Sequence, residues 1–149
     1  MKTVLAVIVG FVVLLVSWIV TVVLISLIDG VVAVARPGLG PDHWLNLLLG
    51  WVLGPGVGAF FAIYVPSIMF RSVEPHTLFI SFISINVFIY LLVLITGLYV
   101  LNVEGSGIGQ IIIHVIQGAA LILGAYIGRA VAIGQRKINC LIQTLDQQL

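Results

Sequence analysis

Charged residues in this chain fall almost entirely at four boundaries, leaving apolar stretches at about 4–28, 44–70, 78–101 and 108–128. An α-helix rises ~1.5 Å per residue and the hydrocarbon layer of a bilayer is ~30 Å thick, so ~20 apolar residues reach across. Inside lipid every backbone N–H and C=O must find a partner within the chain, which selects helices. The expected fold is therefore an all-α integral membrane protein with four transmembrane helices in an up-down bundle.

Composition narrows the classes further. Only 7% of the 149 residues are charged and 62% are hydrophobic, against about a quarter charged in soluble domains. A net charge of +1 with no basic block argues against nucleic acid as a partner. The single cysteine, Cys140, excludes an internal disulfide and a multi-cysteine metal site. Lys2 and Ala33-Val34-Ala35 resemble the ends of a cleaved signal peptide, but the intervening apolar run of roughly 25 residues far exceeds the usual 7–15. The first stretch is therefore expected to stay as a membrane helix.

Cation placement orients the spans. Lys2, Arg71, Arg129, Arg136 and Lys137 fall on one side and Arg36 on the other, so both termini are expected in the cytoplasm, in a bacterial inner membrane. The expected division is a four-helix transmembrane domain over 1–133 and an amphipathic cytoplasmic tail over 134–149. In that tail Ile138, Leu141, Ile142, Leu145 and Leu149 share one face, the spacing of a short helix on the inner membrane surface or docked on a partner.

Loop residues agree with the boundaries. Glu74 can cap the third span with Pro75 in its first turn, where the missing N–H costs nothing. Gly105 can end that span and Ser106 can cap the fourth. Gly105-Ser106-Gly107-Ile108-Gly109 superficially resembles a dinucleotide loop but lacks a preceding strand and a following acidic residue. Asp42-His43, in the outer Pro/Gly-rich loop before the interfacial anchor Trp44, offers two metal ligands without a third.

Two stripes of small residues stand out. Gly50, Gly54, Gly58 and Ala62 recur every four residues in the second span, and Ala120, Gly124, Gly128 and Ala132 do so in the fourth. Residues four apart share a helix face, and small side chains there let backbones approach closely. Both stripes are expected to be packing seams, against each other or against a partner chain. Val23-Leu24-Ile25-Ser26 against Val93-Leu94-Ile95-Thr96, with Leu53-Gly54 against Leu123-Gly124 at the same offset, hints at a duplicated hairpin. Within the second span, Gly54-Pro55-Gly56 is expected to kink the helix, since proline removes a backbone bond and clashes with the carbonyl four residues back.

Polar residues inside the spans are the remaining candidates for chemistry. Gln110, His114 and Gln117 share a face of the fourth span, and Asp29 at the end of the first could pair with Gln110 or His114 to handle a cation. Ser17, Thr21, Ser81, Ser84, Asn86 and Thr96 are available as hydrogen-bond partners. There is no serine–histidine–acid set, carboxylate pair, zinc spacing or phosphate loop, so the reading is not an enzyme and calls for no metal and no cofactor. The leading expectation is a non-catalytic membrane subunit or scaffold, with the lipid bilayer and other membrane chains or a second copy as partners. The alternatives are a small-solute or ion/proton transporter or channel component using the Gln110–His114–Gln117 face, or a redox-complex anchor contacting quinone or haem through His114.

Overall fold

A computed structural model describes residues 1–35, 49–104 and 108–146, apart from the side chains at 29–35, 49, 51, 94, 97–104 and 108–111. The described residues form four α-helices: α1 (Lys2–Ala35), α2 (Gly54–Met69), α3 (Pro75–Glu104) and α4 (Ile108–Asp146). A π-helical turn, Leu49–Leu53, leads into α2. Segments of three helices, Lys2–Ile28, Pro75–Val93 and Ile112–Asp146, are long and apolar enough to cross a membrane.

The fourth apolar helix differs from expectation. At ~1.5 Å per residue, α2 alone covers roughly 24 Å, and the π turn extends it at the N-terminal end. Trp44–Leu48, expected to begin this span, lie outside the described residues. The Gly54-Pro55-Gly56 break takes a specific form: the backbone changes from π to α register at Gly54, with Pro55 in the first turn of α2. Leu53 keeps helical torsions (φ −70°, ψ −38°), so the widened turn, rather than a loss of helix, accommodates the proline.

A second proline, Pro66, lies inside α2. Its missing N–H deprives the Ala62 carbonyl of its usual donor, and it is there that α1 comes closest. A β-carbon at Gly10 would lie 2.7 Å from the Ala62 oxygen and 3.7 Å from the Pro66 ring. Successive turns continue the pairing: Leu14 meets Gly58, Trp18 and Thr21 meet Gly54, and Ile25 meets Gly50.

On its other side α2 packs against α4. A β-carbon at Gly124 would collide with the Gly56 carbonyl, one at Gly128 with the Phe60 carbonyl, and one at Gly56 would lie 3.3 Å from Ala120 O. The main core forms where the helices converge, from Leu14, Ala59, Ala62, Ile63, Phe82, Leu121 and Ala125. α3 joins through larger groups. Phe11 and Phe82 lie 5.1 Å apart, Phe79 and Tyr126 6.4 Å apart, and the Arg129 guanidinium 5.4 Å from the Phe79 ring centre.

The expected tail is not a separate helix. α4 runs unbroken from Ile108 to Asp146, 39 residues. The only helix breaker near the join is Gly134, and one glycine costs about 1 kcal/mol in a helix that propagation otherwise favours. Glu74 and Pro75 stand at the start of α3 as expected from sequence: the Glu74 carbonyl accepts from Leu78 N–H (3.1 Å) and Pro75 is the first helical residue. Gly105–Gly107 lie outside the described residues, as does the Asp42-His43 pair.

Candidate functional site

The two small-residue stripes do not meet each other. Gly54, Gly58 and Ala62 face α1, whereas Gly124 and Gly128 face Gly56 and Phe60 of α2. Helical geometry explains this arrangement. Residues two apart on an α-helix point ~200° away from each other, so Gly56 lies opposite the Gly54–Gly58 stripe. Because α2 is clasped between α1 and α4, it needs room for a neighbouring backbone on both sides. Gly50 makes only ordinary contact with Ile25, at 3.9 Å. Ala132 is 2% exposed and Ala120 is half-buried beside Gly56.

Within α4 the structure joins two of the polar candidates. His114 Nδ1 donates to Gln117 Oε1 at 3.0 Å. With the amide in this orientation its oxygen can only accept, so the shared proton sits on the Nδ1 side of the contact. Gln117 is 3% exposed, and its Nε2 has no hydrogen-bond partner. Turning the amide over would change which of its atoms is paired, not the number paired. A buried amide N–H left without an acceptor costs about 1–3 kcal/mol. The side chains of Asp29 and Gln110, expected to complete a cation site with His114, lie outside those described.

Three other polar side chains of the apolar helices turn back on their own helices. Asn86 Nδ2 donates to Phe82 O (2.8 Å), Thr21 Oγ1 to Ser17 O (2.7 Å) and Thr96 Oγ1 to Leu92 O (2.9 Å). Such bonds satisfy a hydroxyl or amide without joining helices. Among the described residues no three His, Cys, Asp or Glu side chains come together.

The polar cluster that sequence reasoning missed lies at the opposite end of the bundle. Arg136 Nη2 donates to Ser67 O (2.7 Å) and Val73 O (2.8 Å), with a longer contact to Phe70 O (3.4 Å). Ser67 and Phe70 belong to the last turn and C-cap of α2, where carbonyls lack intrahelical donors and the helix dipole is negative. From sequence Arg136 counts only as a cation of the cytoplasmic side, in an amphipathic tail. In fact it ties α4 to the end of α2 and to the 70–74 turn, which Phe70 N–H to Pro66 O (2.8 Å) and Val73 N–H to Phe70 O (2.9 Å) close internally. No sequence pattern announces this, because its acceptors are all main-chain oxygens.

A cavity of about 260 Å³ opens beside this cluster, between the end of α2 and the α4 segment around Gln135–Gln143. A larger, apolar groove of about 460 Å³ runs over the α2–α4 seam, floored by Gly56 and Gly124 and walled by Leu53, Phe60, Phe61 and Leu123. The glycines that let the backbones touch also leave this furrow above them. No protein-family model, curated protein or solved structure matches the chain.

Proposed function

We propose that this is an integral membrane protein with four spans in an up-down bundle, both termini cytoplasmic, acting as a non-catalytic subunit or scaffold for other membrane chains. The contact registers support the arrangement: numbering rises along α1 as it falls along α2, while α2 and α4 rise together. Cation placement supports the orientation, in a membrane of the bacterial inner type.

The observation that carries the scaffold reading is the free end of α4. Beyond Arg136 the helix leaves the bundle with Ile138, Leu141, Ile142 and Leu145 all at least 49% exposed on one face. An amphipathic face continuous with a membrane span suits docking against a partner chain. The glycine stripes, by contrast, are occupied within the chain and are not offered to a partner. Purification in mild detergent with identification of co-purifying chains tests the reading. Leu141→Glu with Leu145→Glu should abolish the association without changing membrane insertion; association that survives both changes, or none in the unaltered protein, overturns it.

A second reading is favoured by the unpaired Gln117 amide beside His114, a buried donor of the kind that lines a solute or proton path. A cysteine at Gln117, in a Cys140→Ser background, should then react with a water-soluble thiol reagent. Protection of that cysteine in the assembled protein sinks the transport reading.

A further inference from the structure

We propose that the cavity at the cytoplasmic end of α2 binds the phosphate of an anionic phospholipid headgroup. It is lined by Ser67, Ile68 and Arg71 from one side and by Gln135, Arg136 and Asn139 from the other, with Cys140 and Gln143 at its rim. Two guanidinium groups and several amides thus converge on one space with no carboxylate in its lining. Arginine presents several N–H donors in a planar fork that suits phosphate oxygens.

Two buried polar groups there lack partners. Ser67 is 1% exposed and its Oγ has no hydrogen-bond partner, and neither has Arg136 Nε. Burial of such groups is unfavourable without an acceptor. Arg136 Nη2 is committed to the Ser67 and Val73 carbonyls, so Arg71, exposed and lining the cavity, supplies a second cation there.

The lining also grades from apolar to polar. Ile68, 44% exposed, and Ala132 lie toward the span, whereas Asn139 and Gln143 lie further along α4. An amphiphile matches that gradient, with its headgroup among the amides and its acyl chain along α2. Basic pockets between spans on the cytoplasmic side recognise anionic lipid headgroups by the same physics. The proposal requires the helices to lie in a bilayer and is independent of both the scaffold and the transport readings.

The test uses the full chain in mild detergent, measuring lipid retention by native mass spectrometry and thermal stability with added phosphatidylglycerol, phosphatidylcholine or inorganic phosphate. Phosphatidylglycerol should be retained in preference to phosphatidylcholine. Arg71→Gln should weaken that binding about fivefold, the effect of one cation near an anionic lipid, with lipid-free stability unchanged. Ser67→Ala should also weaken it, and Lys137→Gln, outside the cavity, should not. Equal retention of the two lipids overturns the proposal, as does an equal loss from Arg71→Gln and Lys137→Gln. Stabilisation by inorganic phosphate alone, with no preference for phosphatidylglycerol, overturns the lipid as the source of the phosphate.

Discussion

α2 and α3 are both apolar helices packed against α1 and α4, yet they are held in different ways. The neighbours of α2 come within touching distance of its main chain, through Gly10 on α1 and Gly124 and Gly128 on α4. α3 is held at side-chain length, by Phe82 on Phe11 and by Phe79 against Tyr126 and Arg129. Between Ser84 and Thr96 its described residues are mostly exposed, with Phe88 at 63% and Ile95 at 63%. In lipid no hydrophobic force drives helices together, so association follows the quality of packing. Close main-chain approach gathers many dispersion contacts and tolerates no added atom, whereas aromatic contacts adjust by rotamer. α2 is therefore the rigid centre of the molecule and α3 its adaptable flank.

The largest expected effect comes from filling the tight seam. Gly124→Leu would force its side chain into the Gly56 carbonyl, and since main chain cannot step aside the helices must separate. Overpacking costs about 1–3 kcal/mol and occasionally more, and this site belongs at the upper end. A thermal unfolding curve in detergent should show the loss, and an unchanged midpoint would refute the close approach of α2 and α4.

Arg136→Ala comes next. It strips two short hydrogen bonds from the Ser67 and Val73 carbonyls, and leaving such acceptors unpaired costs about 1–3 kcal/mol. Limited proteolysis between Phe70 and Glu74 should speed up in this variant while sites elsewhere keep their rates.

Phe82→Ala sharpens the contrast. Phe82 is 2% exposed, and the same change in a water-soluble core costs about 3–5 kcal/mol. On the proposed membrane reading the transfer part of that cost largely vanishes, because acyl chains are as apolar as the interior, so a smaller loss than for Gly124→Leu is expected. The reverse order, measured by the same unfolding curves, would mean that α3 rather than α2 organises the bundle.

The smallest effects belong to glycines outside the seams. Nothing lies within 4 Å of a β-carbon at Gly118 or Gly134. Alanine at either should stabilise its helix by about 0.5–1 kcal/mol through reduced backbone freedom in the unfolded chain. A clear loss of midpoint in Gly134→Ala would mean that the free end of α4 bends there.

How much of this was legible from residues alone follows from what each signal encodes. Hydropathy depends on composition within a window, so the three helices long and apolar enough to span a membrane, and the apolar character of α2, could be read directly. Glu74-Pro75 could be read because proline at a helix start is a local steric matter. The stripe Gly54, Gly58, Ala62 showed which residues share a face, but a helical period carries no information about which neighbour that face meets. For the same reason Gly56, off the stripe, is legible as part of the Gly54-Pro55-Gly56 kink but not as the contact for α4. Pro66 shows in sequence only as a proline inside an apolar run, and nothing local says that α1 approaches the carbonyl it leaves unpaired. The role of Arg136 is not legible because its partners are backbone oxygens more than sixty residues away in sequence. The link between His114 and Gln117 was readable as a spacing of three on a helix, whereas the unpaired half of the amide required the packing around it.

The unbroken length of α4 has a mechanical corollary. At ~1.5 Å per residue its 39 residues measure about 58 Å, nearly twice the hydrocarbon thickness, with roughly the last 15 Å beyond Arg136. A rod without a joint transmits rotation and tilt from one end to the other. Gly124 on Gly56 and Arg136 on the Ser67 and Val73 carbonyls hold that rod at two separate points, so contacts made inside the bundle fix the direction in which its exposed end projects.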